Sequence, residues 1–251
     1  MDDLTERESA VRGVPGRTTA EVILQARDLR KAFGQTPALG GCNLEIARGE
    51  IVAITGPSGS GKSTLLHCLA GIMLPDSGEV LIQGRSLTAM TDNERAALRR
   101  TTFGFVFQFG QLVPELSVLE NVALPLLLNG VRRREALAAA LTWVEAFDVQ
   151  DLVRRRLGEI SGGQAQRVAV ARAMAIEPRV IFADEPTGSL DSVSGALVLD
   201  ALVQAVRERD VTVVVVTHDR DVASYADREI LVRDGLIASE PLASTRVEMG
   251  A

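Results

Sequence analysis

The sequence predicts an α/β fold in which a mainly parallel core sheet is covered by helices, entered through a β-rich segment and interrupted by a run of helices. Three observations carry this. The strands RVIFAD (179–184) and VTVVVVTH (211–218) are apolar on both faces and alternate with the helical stretch VSGALVLDALVQAVRE (193–208), as in a parallel sheet buried between helices. The first fifty-odd residues hold VILQARDL (22–29) and NLEIARGEIVAITG (43–56), which are rich in β-formers. Between strand FGFVFQ (103–108) and residue 160 there is no β-branched strand run, and SVLENVALPLLLNG, REALAAALTWVEAF and DLVRRRLGEI all show helical periodicity.

In chain order, the strand ending at Gly56 leads through a glycine-rich loop into a helix over STLLHCLAGIM (63–73). PDSG (75–78) marks a turn, EVLIQG a short strand, and residues 92–100 a polar helix. Ser161 opens the helix that follows the insertion. EILVRDGLIAS reads as a hairpin turning at Asp234-Gly235, because both central residues of such a turn need positive φ. Residues 1–20 are polar, lack the apolar core of a secretory signal, and read as a flexible tail. The longest apolar runs fall far short of the ~20 residues of a membrane-spanning helix, so cytoplasmic residence is expected. Cys42 and Cys68 lack metal-ligand spacing. A net charge of −6 argues against duplex binding, and no nucleic-acid partner is expected.

Of 27 cationic side chains only Lys31 and Lys62 are lysines. Lys62 sits in GPSGSGKST, which fits G-x-x-x-x-G-K-[ST] between a strand and a helix. Here the glycines Gly56, Gly59 and Gly61 let the backbone N–H groups of the loop that also holds Pro57, Ser58 and Ser60 curl around phosphate oxygens. The helix N-terminus adds its dipole. A compact ammonium at Lys62 reaches the β- and γ-phosphates, the Ser63 hydroxyl suits Mg²⁺, and Thr64 lies near the α-phosphate. RVIFADEP puts Asp184 at the end of a buried strand, where it can hold Mg²⁺ through water. The adjacent Glu185 is then placed to orient a water and accept its proton. Of the two histidines, His67 and His218, the second ends a strand at the same sheet edge as Glu185 and can hold base, water and γ-phosphate.

Together these residues resemble the ATP-binding subunit of ABC transporters. Walker A is GPSGSGKS, the Q-loop glutamine is Gln108 in FVFQ, the signature is ISGGQ, Walker B is IFADE, the D-loop is SLD with Asp191, and the switch histidine is in VTHD. All six stand in family order, over roughly residues 22–240. The resemblance implies an ABC ATPase fold of the P-loop NTPase class with an N-terminal antiparallel β subdomain. It sets one domain at 21–240, with a helical subdomain at about 112–175 inserted in the core and a second tail at 241–251. It implies ATP and Mg²⁺ as cofactors, with Gln108 joining Ser63 and Asp184 at the metal. Phe33 matches the aromatic that stacks on adenine, although it reads equally as a core residue.

Two adjacent glycines open the helix after Ser161, where glycine costs roughly 1 kcal/mol relative to alanine. An N-cap role accounts for the serine but not for both glycines, if side chains are tolerated at those positions. In the resembling family the bare terminus formed by Ser161, Gly162, Gly163 and Gln164 receives the γ-phosphate held by a second subunit, in a head-to-tail dimer, with Asp191 crossing the interface. Ile160 and Ala165 depart from the usual leucine and glutamine.

GFVFQFGQLVPELSVLENVALPLLLNG with DEPTGSLDS resembles the group of lipoprotein-release, macrolide-export and FtsE-type ATPases. These imply a place on the inner face of the plasma membrane, paired with an integral permease of FtsX/MacB type, and the complete set of catalytic motifs favours a homodimer. A groove near Phe109–Leu116 is then a candidate seat for the permease, while the same apolar residues can equally build the insertion's own core. The Arg triplets 132–134 and 154–156 read as solvated faces. The alternative, a soluble nucleic-acid or translation-associated ATPase, calls for a long coiled coil, a cysteine cluster or a second cassette. None is present in the sequence.

Overall fold

The computed structural model describes residues 21–238, so both expected tails lie outside the described residues. Two sheets organise the chain. The long strands β1 (Val22–Phe33) and β2 (Thr36–Ala47) form an antiparallel hairpin. Strand β3 (Ile51–Thr55) passes into the second sheet and leads to α1 (Lys62–Leu69). The chain then returns through β4 (Ser77–Ile82) and β5 (Arg85–Ser86), completing a four-stranded antiparallel sheet of order β2-β1-β4-β5. After α2 (Asp92–Thr101) come β6 (Phe103–Phe107), then α3 (Val118–Leu128), α4 (Arg133–Ala146) and α5 (Gly162–Met174). Strand β7 (Val180–Asp184), α6 (Ser192–Glu208), β8 (Thr212–Val216), the short α7 (Arg220–Ala223), β9 (Arg228–Arg233) and β10 (Leu236–Ile237) follow. The second sheet has order β10-β9-β3-β8-β7-β6. Its pairs are parallel except for the closing hairpin β9–β10, which turns at Asp234 (φ 51°) and Gly235 (φ 73°) as predicted.

The period-2 alternation of each central strand divides it between two cores. Val52, Ile54, Phe182, Val214 and Val216 face the antiparallel sheet and α1. Ala53, Ile181, Ala183, Val213 and Val215 face the helices α3 to α6. Both faces are dry, which is why these strands carry no polar alternation. No described helix is long and apolar enough to cross a membrane.

Two helical expectations are corrected. The helix after the glycine-rich loop stops at Leu69 instead of running to residue 73, because Gly71 takes φ 62°. The amides of Gly71 and Ile72 turn back to the carbonyls of Cys68 and His67, a Schellman closure. Residues 151–160 form no α-helix but two 3₁₀ turns, Gln150–Leu152 and Leu157–Glu159. Their carbonyls are claimed elsewhere: Val118 N donates to Arg155 O at 2.8 Å and Leu119 N to Val153 O at 3.2 Å. The segment thus satisfies the open N-terminal amides of α3, and that tertiary demand overrides local periodicity.

The same terminus carries a full capping box. Ser117 Oγ accepts from Glu120 N, and Glu120 Oε2 accepts from Ser117 N at 3.1 Å. Arg133 donates to Glu120 Oε1 at 2.7 Å, and this bond, helped by the Ser117 donors, holds the Glu120 carboxyl down to about 2. A carboxyl whose pKa falls on folding adds stability above its ordinary value of 4.5, lost as pH falls through about 2. Glu120→Ala is therefore expected to lower stability by about 1 kcal/mol at pH 7. Urea unfolding at a series of pH values checks it: the gap between variant and native chain narrows below pH 4.5, and a gap independent of pH contradicts it.

Candidate active site

Three adjacent parallel strands end in register: Phe107 pairs Asp184, and Asp184 pairs Val216. One residue further on, Gln108, Glu185 and Thr217 therefore stand side by side at the C-terminal edge of the sheet. Beside them, the loop 56–61 joins β3 to α1. Gly56 (φ 140°), Gly59 (φ 76°) and Gly61 (φ 102°) occupy backbone space that L side chains avoid. A Cβ on Gly56 would run into the Val232 carbonyl of β9, and one on Gly61 into the Ala38 carbonyl of β2. The loop is thus clamped between the two sheets, and these glycines are required before any ligand is considered.

Gly61 caps α1 without a side-chain hydrogen bond, and the first turn of α1 carries no acidic residue, so its leading amides are not claimed by a side chain. Lys62 is largely buried, its Nζ donating to the carbonyls of Gly56 (2.8 Å) and Pro57 (2.9 Å), so the ammonium lies across the loop. Ser60 Oγ is buried with no partner. Ser63 Oγ donates to Asp184 Oδ1 at 3.3 Å. Burial pushes the Asp184 carboxyl above its ordinary value, and the Ser63 bond pulls it partly back. Free amides, an inward ammonium and a hydroxyl beside a desolvated carboxylate fit a polyphosphate with a hard divalent cation bound through oxygen.

Glu185 Oε1 lies 2.6 Å from His218 Nδ1, and Thr217 Oγ1 donates to Glu185 Oε2 at 3.4 Å. The imidazole is 72% exposed while the carboxylate is only 20% exposed. Glu185 itself has φ 48°, a left-handed backbone that costs a non-glycine residue roughly 1–2 kcal/mol. It is held there by Glu185 N donating to Val216 O and Gly188 N donating to Glu185 O. Gln108 reaches the same turn: a Cβ on Gly188 would lie 2.9 Å from Gln108 Nε2, and Ser189 Oγ donates to Gln108 O at 2.8 Å. Lys62, Ser63, Asp184, Glu185, His218 and Gln108 therefore form one connected region.

The signature is a second region. Ser161 caps α5 with a reciprocal box: Ser161 N donates to Gln164 Oε1 at 2.8 Å and Gln164 N to Ser161 Oγ at 3.3 Å. The assumption that side chains are tolerated at both glycines needs correction. A Cβ on Gly163 would meet the Ser194 Cβ at 3.2 Å, so this glycine lets α5 approach α6. Gly162 meets only Leu190, at an ordinary 3.6 Å, and its absent side chain has no packing reason within the chain. Asp191 caps α6, accepting from Ser194 N at 2.9 Å, and that bond lowers its carboxyl pKa. Phe33, at the end of β1, is 53% exposed, which removes the core alternative. Thr217, Ser189 and Gly188 were not singled out from the sequence; VTHD and PTGS hold them next to recognised residues, but only the register shows that they touch.

A phosphate-cradling loop beside a cation-suited carboxylate, followed by a glutamate paired to histidine at the edge of a parallel sheet, defines a P-loop nucleoside-triphosphatase. The comparisons narrow this class. The family profile described as ABC transporter matches residues 39–188. The chain is 41% identical over 220 residues to the lipoprotein-releasing system ATP-binding protein LolD 2 of Caulobacter vibrioides, covering 86% of this chain and 96% of that one. It is 42% identical over 219 residues to LolD of Porphyromonas gingivalis, covering 87% and 100%. Among solved structures, the ATP-binding cassette MJ0796, a dimer in a post-hydrolysis state bound to ADP and Pi, superposes with a TM-score of 0.79 at 38% identity, covering 87% and 98%. The chain belongs to the ABC transporter family as its ATP-binding subunit, an ATPase that hydrolyses ATP with Mg²⁺ as the partner ion.

Proposed function

We propose that this chain powers a lipoprotein-releasing transporter, as one half of a head-to-tail homodimer bound to a permease of FtsX/MacB type on the inner face of the plasma membrane. Identity of about 41% over nearly the whole length of LolD proteins carries this reading. The domain runs over 21–240, with residues of about 112–175 as its helical subdomain. A nucleic-acid partner is not favoured, given the acidic charge of −6.

In this reading the N–H groups of the loop 56–61, which Pro57 lacks, and the Lys62 ammonium bind the β- and γ-phosphates, Thr64 lies near the α-phosphate, and the exposed Phe33 stacks on adenine. Mg²⁺, when bound, neutralises phosphate charge, and Ser63, Asp184 and Gln108 would hold it. Glu185 orients the attacking water and accepts its proton, and His218 fixes the orientation of the carboxylate; the 2.6 Å contact between them supports both roles. The α5 terminus at Ser161 to Gln164, with Asp191 behind it, meets the γ-phosphate bound by the partner subunit. The dimeric state of the MJ0796 relative supports that arrangement.

Phe109, 76% exposed beside Gln108, is the apolar contact offered to the permease. Purifying the tagged full chain from detergent-solubilised membranes tests the proposal. It should bring down a permease of this type, and reconstituted with it into proteoliposomes should release a bound lipoprotein in the presence of ATP. Phe109→Asp should lose most of the permease while keeping the ATPase rate of the free subunit. Recovery of an importer permease, or of none, overturns the reading.

A further inference from the structure

Helix α5 carries a second polar device beyond the signature. Gln166 is 2% exposed, in a helix whose other buried positions are apolar. Its Nε2 donates to two carbonyls from different segments: Phe107 O at 2.9 Å and Pro186 O at 2.5 Å. Phe107 precedes Gln108, and Pro186 follows Glu185. Phe107 is the last paired residue of β6, its carbonyl also accepting from Gly110 N at 2.9 Å, and Pro186 lies two residues beyond Asp184, the last paired residue of β7. One amide group, with two N–H bonds and two acceptors, thus ties together the strand ends that present Gln108 and Glu185.

The same helix holds the rest of the loop. Arg172 donates to Gly110 O at 2.6 Å and to Gln111 O at 2.7 Å. With Ser189 on Gln108 O, the carbonyls of residues 107, 108, 110 and 111 are all held by side chains. The loop packs closely on α5: a Cβ on Gly110 (φ 65°) would crowd Ala169 at 3.3 Å and meet Gln166 Oε1 at 3.4 Å. A buried amide that lost its acceptors would carry a penalty of its own, so the two segments and α5 are favoured to move as one.

We infer that Gln166 is a positioning residue for ATP hydrolysis, fixing Gln108 and Glu185 to the helix that carries the signature, so that a displacement of the α5 N-terminus is delivered to both. This rests on the assignment of Glu185 as the base, and it adds a connection that the six motifs do not contain. Gln166 touches neither substrate nor reacting atoms; its effect passes through the backbone on either side.

Two variants of similar length test it in the full chain. Gln166→Met removes both donors and keeps an apolar fit. Gln166→Glu keeps the shape and, ionised, turns the donors into acceptors facing carbonyls. Each should lower kcat at least tenfold while KM for ATP and nucleotide affinity change less than threefold. Amide hydrogen exchange should quicken at residues 107–110 and 185–189 together, with the P-loop and β1–β2 unchanged. A kcat within twofold of the native value in a folded variant overturns the inference. So does a loss spread evenly over kcat, affinity and exchange at all sites, which marks a purely structural residue. Glu185→Gln assayed in parallel keeps the two readings apart: if that variant turns over normally the base assignment fails, whereas if it is inactive and Gln166→Met is not, only the positioning role fails.

Discussion

Glu185→Gln is expected to lower kcat at least a hundredfold, and toward ten-thousandfold, with ATP affinity and fold intact. Glutamine has the shape of glutamate, can occupy the same left-handed backbone, and can still pair with His218 and Thr217. It cannot take a proton from water, and a positioned general base accounts for 10²- to 10⁴-fold of rate, about 3 to 5 kcal/mol of barrier. The reciprocal register of β6, β7 and β8 holds Gln108, residue 185 and Thr217 at the sheet edge whatever the side chain at 185 carries. ATP therefore still closes the proposed dimer, and without hydrolysis the dimer should persist. Single-turnover phosphate release and size-exclusion chromatography in ATP measure both effects. A variant that releases phosphate within tenfold of the native rate rules out Glu185 as the base, and slow turnover without a lasting dimer rules out the head-to-tail closure.

Much of this site was legible because its chemistry is local in sequence. GPSGSGKST, IFADE and VTHD each keep the proposed site residues within a few positions of a strand end, so strand prediction places them. The two-faced apolar strands were equally readable, since Val213 and Val214 point into different cores. What was not legible depended on partners far along the chain. Residues 151–160 have helical periodicity, yet they give their carbonyls to α3 about 35 residues upstream. Gln166 lies two residues past the signature and looks like an ordinary polar helix position; only the fold shows that it is buried against Phe107 and Pro186. Gly163 was readable as a phosphate contact but not as the point where α5 meets Ser194, and that packing now shares the explanation of the double glycine.

Gly162 isolates the part of that explanation packing does not supply, and Gly162→Asp is expected to separate stability from function. Position 162 is the first residue of α5 after its Ser161 cap, and its missing Cβ would meet Leu190 at an unstrained 3.6 Å. An aspartate there gains from the helix dipole, typically 0.3–1 kcal/mol, and relieves the backbone entropy of glycine by up to about 1 kcal/mol. If ISGGQ were only the start of a helix, the variant would be equal or better in every assay. If the terminus receives a γ-phosphate from a second subunit, a carboxylate at its mouth repels the phosphate and claims the amides meant for it. The thermal midpoint should then hold or rise, and ATP binding to the P-loop of the same chain should stay within threefold of native. ATP-driven dimerisation should disappear, and hydrolysis should fall at least a hundredfold. Full hydrolysis by a stable Gly162→Asp chain would remove the phosphate role from the signature. Loss of ATP affinity along with hydrolysis would place the two regions in one site within a single chain instead of across two.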